Sequence, residues 1–306
     1  MIRELAENPN VHQPLGPGRV LYRDPDGRFA IMLSAGTSPR SATVQRVRLG
    51  VRDVEAVLAE IRDLLRSEGR RGAEWELGES CTPTDLVDRL LALGLRHDDD
   101  PVAHGMVLHA PALALTAGVS ARPVRSLVEL LEARRIQRVA FHDSRPVDSD
   151  AEAREFEREG VDGSTFVAFV GGELVAAAYA AHTPHGTILF GGATLPSYRG
   201  RGAYRALVAA RAVEAVARGA PAVVTHAGRM SRPILENRRS RLEIVSAERI
   251  RMELDKLVVV DKPGPGLWFL VDTALADQFL PELPGQHPGC LFVVPPDVRV
   301  HTDLVE

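Results

Sequence analysis

The stretch from Thr187 to Ala217 constrains the fold more than any other part of this 306-residue chain. Thr187-Ile188-Leu189-Phe190-Gly191-Gly192-Ala193-Thr194-Leu195 is short and apolar and predicts a strand. Ala206 to Ala217 is alanine-rich with no breaker and predicts a helix. Between them stands Arg199-Gly200-Arg201-Gly202-Ala203-Tyr204. A glycine-bearing turn that opens a helix aims unpaired N–H groups and the positive end of the helix dipole at whatever lies above, which suits a phosphate. Gly200 and Gly202 let the backbone approach an anion, and Arg199 and Arg201 add charge-assisted hydrogen bonds. The bland alternative is a turn that only joins strand to helix.

The spacing excludes the two commonest phosphate loops. No Lys-Ser or Lys-Thr follows the glycines as in a P-loop, and no G-x-G-x-x-G marks a dinucleotide fold. The segment resembles motif A of the GCN5-related N-acetyltransferases (GNAT): Arg or Gln, two residues, Gly, one residue, Gly or Ala. Arg199, Gly202 and Tyr204 fill those slots, and Leu195-Pro196-Ser197-Tyr198 is similar to the family's approach to the loop. Tyr204 departs from the pattern by filling a small-residue slot. The resemblance implies acetyl-CoA as co-substrate, with no metal. It would be held by Ala193, Thr194 and Leu195 on the strand and by Arg199, Gly200, Arg201, Gly202, Ala203 and Tyr204 on the loop.

The flanks extend the resemblance over about Val119 to Val260. Val124–Ala140 and Ser149–Glu159 predict helices, the second capped by Ser149 or Asp150. Two β-rich runs around Gly171-Gly172 predict a hairpin, and Pro184-His185-Gly186 leads into the binding strand. Ala222–His226 predicts a strand, and Ser231–Asn237 a helix with Pro233 in its first turn. The resemblance implies an α/β (α+β) fold of mixed sheets flanked by helices. Motif B is altered: after Ser231-Arg232-Pro233-Ile234-Leu235-Glu236 no Gly-Phe follows. No tyrosine occurs beyond Tyr204, so the family's usual general acid has no counterpart.

The first half echoes the later part of this plan. Arg19–Tyr22 and Phe29–Leu33 flank the turn Asp24-Pro25-Asp26-Gly27. Val44–Leu49, helix Val51–Ser67, strand Glu74–Leu77, a helix Thr84–Leu93 capped by Thr82, and Met106–Leu108 follow. Its turn, Leu49-Gly50-Val51-Arg52, lacks the phosphate-loop pattern. The arrangement reads as tandem GNAT-like halves: residues 1–115 degenerate, 116–260 carrying the acetyl-CoA loop, and 261–306 an extension. An unrelated α/β module in the first half is the alternative. In the extension, 264–271 and 290–294 read as strands and 273–279 as a helix. That tail either completes a sheet or covers a contact in a homodimer.

Composition excludes other classes. Hydrophobic content of 45% with 25% charged residues fits a folded protein. A net charge of −4 gives no global attraction to nucleic acid, and no apolar signal core or membrane span is present. A cytoplasmic protein is expected. Lys256 and Lys262 are the only lysines against many arginines, a bias of high-GC bacterial genomes. Cys81 and Cys290 lack a metal-ligand pattern, and Asp98-Asp99-Asp100 beside His97 reads as a solvated acidic turn.

The expected activity is N-acetyl transfer to an amine of a small molecule or a protein terminus. A protein that holds acetyl-CoA without turnover is the alternative. His226, whose ordinary pKa suits proton transfer near neutrality, is the first catalytic candidate. Ser231 and Tyr204 follow as proton donors, although Ser231 also suits a helix cap. His182 and His185 could line an acceptor cleft. The run Arg238-Arg239-Ser240-Arg241 suits either a phosphate or a solvated helix face.

Overall fold

The computed structural model describes residues 1–16, 18–36, 38–97, 103–108, 116–144, 146–236 and 298–303. Contacts divide the chain into one unit of Met1–Arg232 with Phe292–Glu306 and a second of Pro233–Leu291. The predicted tail elements at 264–271, 273–279 and 290–294 lie outside the described residues. So do Cys290, Asp98–Asp100 and the arginines at 238, 239 and 241.

The first half opens with α1 (Ile2–Glu7) and α2 (Pro9–His12), followed by β1 (Val20–Arg23), β2 (Ala30–Leu33) and β3 (Ala42–Gln45). The β1–β2 turn is set by Asp24, whose Oδ2 accepts from the N–H groups of Asp26 (3.1 Å) and Arg28 (2.9 Å), as an Asx turn requires. Next come α3 (Val54–Ser67), β4 (Gly72–Leu77), α4 (Leu86–Ala92), β5 (Arg96–His97) and β6 (His104–Leu108). Val57, Leu58, Ile61 and Leu65 of α3 pack on Trp75 and the sheet in a continuous core. Asp85, not Thr82, holds the cap position of α4, because the Thr82 hydroxyl donates to the Leu49 carbonyl at 3.0 Å.

The second half runs β7 (Val119–Pro123), α5 (Leu127–Ala140), α6 (Ser149–Phe156), β8 (Gly163–Val170), β9 (Glu173–Thr183) and β10 (Gly186–Thr194). It continues through α7 (Ala203–Ala217), β11 (Val223–Ala227) and α8 (Arg232–Glu236), and β12 (Val298–Asp303) closes the set. The cap of α6 is Asp148 rather than Ser149 or Asp150. Its Oδ1 accepts from the N–H groups of Asp150 and Ala151 at 3.1 and 3.0 Å. Gly171 and Gly172 both take positive φ, the conformation a two-residue hairpin turn demands.

Two six-stranded mixed sheets result, ordered β1-β2-β3-β4-β12-β5 and β6-β11-β10-β9-β8-β7. Each contains one strand from outside its own half of the chain. The strand at Met106–Leu108, expected to close the first set, pairs instead with β11, from Leu108↔Val223 to His104↔Ala227. β12 inserts antiparallel between β4 and β5. A short apolar strand satisfies either sheet edge, so its sequence does not specify its neighbour.

In the second sheet α7 packs on one face, and α5 and α1 share the other. Leu5 and Ala6 of α1 are fully buried with Val107, Ala181, Ile188 and Val224, which makes the amino-terminal turn part of this sheet's core. No described helix is long and apolar enough to cross a membrane.

Candidate active site

β10 and β11 begin as parallel neighbours and then part. Their register runs Thr187↔Val223, Ile188↔Val224 and Leu189↔Thr225, and stops there. The Thr225 hydroxyl closes that last rung by donating to the Leu189 carbonyl at 3.0 Å. Beyond it β10 bulges between Phe190 and Ala193, with Gly191 at φ +58°. The bulge carbonyls are taken from the two faces. Gln137 of α5 donates to Gly191 O at 2.9 Å, and Arg211 of α7 donates to Phe190 O at 3.4 Å. A wedge therefore opens between the two strands where β10 still has five residues to run, Phe190 to Thr194.

The glycine loop sits at the mouth of this wedge. Gly200 and Gly202 adopt φ +78° and +90°, left-handed geometry that glycine takes without penalty. Gly202 is the N-cap of α7 and among the described residues no side chain caps that helix start, which leaves its first N–H groups as donors for a ligand. Arg199 is exposed with Nε 3.4 Å from the Thr194 carbonyl, and the Arg201 guanidinium lies 5.0 Å over the Tyr198 ring. Ala203 is buried at the first helical position. Ala193 is buried in the strand, and the Leu195 N–H pairs with Val175 O at 3.0 Å. The Thr194 hydroxyl is buried with no hydrogen-bond partner among the described residues. An orphaned hydroxyl beside an uncapped helix start fits a ligand with a polar arm and a phosphate.

Two of the three catalytic candidates come together here. The Tyr204 ring lies against Gly192, where an added Cβ would stand 2.6 Å from Tyr204 Cε2. Both the Arg211 guanidinium and the Ser231 hydroxyl act on the Tyr204 hydroxyl. Burial pushes the Tyr204 phenol up, and the Arg211 charge opposes that shift. Arg211 is itself only 1% exposed and donates to the carbonyls of Leu207 and Tyr179, each at 3.1 Å. Burial pushes it down to about 10, which leaves it a cation at neutral pH. The sequence reading missed this residue. Its one signal is a position seven residues after Tyr204, two turns along the same helix face.

His226 stands apart from that pair. Its Nε2 donates to the Ala6 carbonyl of α1 at 2.8 Å, and its Nδ1 lies 3.9 Å from Glu76 Oε2. His182 sits on the α7 face, with Nε2 3.3 Å from Ser164 Oγ and 3.5 Å from Glu214 Oε1. Serine and carboxylate approach the same ring nitrogen, so this is no nucleophile relay, which needs the carboxylate on the other nitrogen. His185 is exposed on the β9–β10 turn. Among the described residues no group of three or more His, Cys, Asp or Glu side chains is placed to hold a metal ion.

Residues 128–231 match the family described as Acetyltransferase (GNAT) family. Residues 229–285 match one described as the probable RNA and SrmB-binding site of polymerase A, a segment that beyond Glu236 lies outside the described residues. No curated protein matches the chain in sequence. Among solved structures the chain is similar to a GCN5-related N-acetyltransferase from Kribbella flavida, at 21% identity and a TM-score of 0.52, over 74% of this chain and 85% of that one. It is also similar to a GCN5-related N-acetyltransferase from Sphaerobacter thermophilus, at 18% identity and a TM-score of 0.50, over 74% and 77% of the two chains. The shared fold is the α/β arrangement expected from the sequence, mixed sheets flanked by helices.

Proposed function

From the premise that residues 128–231 belong to the GNAT acetyltransferase family, we propose that this chain transfers an acetyl group from acetyl-CoA to an amine of a small molecule or a protein terminus. The wedge between β10 and β11, with the uncapped start of α7 at its mouth, is the observation that carries the reading. The N–H groups at the start of α7 and Arg199 would hold the pyrophosphate, and the freed edge of β10 with the Thr194 hydroxyl would take the pantetheine arm. Acetyl-CoA supplies the activated thioester. The backbone from Gly192 to Thr194 is the source of hydrogen bonds to its oxygen as charge develops there.

Two proton movements remain for the side chains. A lysine-like amine is neutral only about once in ~10³ molecules at pH 7, so its proton must be removed. The departing sulfur must then gain one. Tyr204 is the donor this reading assigns to the sulfur, with Ser231 at its hydroxyl and the buried Arg211 charge stabilising the phenolate left behind. It takes the place of the tyrosine missing from motif B. No step calls for a metal. The first half offers no glycine loop at Leu49–Arg52, and on this reading it binds no acetyl-CoA.

Calorimetric titration with acetyl-CoA, followed by thiol release across a panel of primary amines, tests the proposal. Submicromolar to micromolar binding with turnover supports it. Binding without turnover leaves a protein that holds acetyl-CoA in a non-catalytic role, and absence of binding overturns both. A second reading, RNA contact through residues 229–285, rests on the family match there and on the arginines at 238, 239 and 241. Filter binding of single-stranded RNA to the full chain, with salt dependence, decides it.

A further inference from the structure

On the face of the second sheet that carries α1 and α5, the middle is left partly open between the two helices. Ala177, Ala181 and Ile188 are fully buried and Ala193 nearly so, whereas Tyr179 and Phe190 between them are only half-buried. Leu5 and Ala6 of α1 cover one end of the face, and Ala133 and Ile136 of α5 cover the other. The two rings lie in the gap. Tyr179 pairs across the sheet with Phe190 on one side and Thr165 on the other, so the three form one row at a strand spacing of about 4.8 Å. Phe190 is also where β10 starts to bulge. The gap thus adjoins the wedge, on the face opposite α7.

Polar groups ring this gap. The Tyr179 hydroxyl lies over Gly163, where any Cβ would collide with it, and has no hydrogen-bond partner among the described residues. Glu159 accepts from the Thr165 N–H at 2.7 Å and from its hydroxyl at 2.5 Å. Burial raises the Glu159 carboxyl above its ordinary range in spite of those bonds, and Glu159 in turn helps raise the Tyr179 phenol. Of the cations that act on Tyr179, Arg134 is bound to Glu152 at 2.8 Å, Arg158 is bound to Asp162, and Arg19 is exposed and bonded to Gln13. Glu155 adds a second carboxylate beside the amino-terminal segment at Gly16. Two aromatic faces with two carboxylates and no unengaged buried cation suit a positively charged guest.

We propose that this gap is the acceptor site, that its guest is a small primary amine arriving as the ammonium cation, and that Glu159 is the base that removes its proton. The inference rests on the acetyl-transfer reading and gives that reading an acceptor side. The ammonium passes one proton to a Glu159 oxygen, which later returns it to solvent. The freed nitrogen pair forms the C–N bond as the thioester C–S bond breaks. Tyr204 protonates the sulfur, and the second nitrogen proton restores Tyr204 through solvent. The products are an amide, a thiol and one proton released.

Two probe amines separate this proposal from its premise: propylamine, a cation at neutral pH, and methoxyamine, neutral there. Acetyl-CoA affinity is measured on the full chain by calorimetry, and acetylation of each amine by thiol release. Glu159→Gln should lower turnover of propylamine by about 10²-fold, the size of a lost general base, while methoxyamine and acetyl-CoA affinity change by less than about threefold. Tyr179→Phe, which preserves the ring, should raise KM for propylamine and leave acetyl-CoA affinity alone. Equal losses for both amines, no loss for either, or a wild type that binds acetyl-CoA and acetylates neither would overturn the assignment. A wild type that binds no acetyl-CoA fails the underlying function instead.

Discussion

The guanidinium of Arg211 and the phenol of Tyr204 meet inside the molecule, two turns apart on one face of α7. Arg211 ties that face to the bulge as well, through the carbonyls of Phe190 and Tyr179. One buried cation thus braces the wedge and partly offsets the rise that burial imposes on the phenol beside it.

Tyr204→Phe removes the hydroxyl and keeps the ring against Gly192. Thiol release should fall by about 10–10²-fold with acetyl-CoA affinity little changed, as for loss of a general acid. An unchanged rate would place the sulfur's proton source elsewhere. Arg211→Met should destabilise the fold by about 1–3 kcal/mol in urea titrations, because the buried carbonyls of Phe190 and Tyr179 lose their donor.

The loop makes a graded prediction. At Gly202 a side chain meets two obstacles, a φ of +90° and collision of its Cβ with the Thr116 hydroxyl. Gly202→Val should abolish acetyl-CoA binding and also lower stability, by at least the ~1–2 kcal/mol of left-handed backbone strain. The Thr116 contact is what adds a loss of stability to the loss of binding. At Gly200 a Cβ enters open space, so Gly200→Ala should incur the strain alone. Arg199→Ala, at an exposed side chain, should weaken binding by only about 3–10-fold with Tm unchanged, since the backbone donors remain.

What the sequence revealed follows from how local each feature is. The strand, glycine loop and helix from Thr187 to Ala217 were legible because positive φ at Gly200 and Gly202 and the helix propensity of alanine act within a few residues. The exchange of β6 and β12 between the sheets was not, because neither strand encodes its neighbour. α1 escaped notice because its six residues offer only Ile2, Leu5 and Ala6 as apolar positions, too short a run to show a period. Arg211 looked like a surface charge, the usual fate of arginine, until packing enclosed it. Glu159 sits in a charged stretch whose only distinction, contact with Thr165, is a tertiary fact.

His226 offers a direct contest between a structural and a catalytic role. Its Nε2–H bond to Ala6 O fastens α1 to β11. His226→Gln keeps a donor in reach and should retain turnover within about threefold, while His226→Ala should lower stability by about 1–2 kcal/mol. A loss of about 10²-fold in both variants, with acetyl-CoA affinity intact, would restore His226 as the proton-transfer residue the sequence suggested.

Acid should loosen the α7 face through Glu214. Its Oε1 accepts from Ser164 Oγ at 2.8 Å and from Arg218 Nε at 2.9 Å, with His182 Nε2 at 3.5 Å. Burial works to raise this carboxyl, but the bonds from His182, Ser164 and Arg218 outweigh it and hold the group at about 2, against an ordinary 4.5. A carboxyl depressed in the folded state stabilises the fold above its unfolded pKa, and that contribution is lost as pH falls through the folded value. The stability gap between wild type and Glu214→Gln should therefore be full at pH 7. It should shrink once the pH drops below 4.5 and vanish near 2. Urea midpoints of both proteins across that range are the measurement. A gap that stays constant with pH would show that shape, rather than the carboxylate's charge, joins α7 to β8 and β9 at this point.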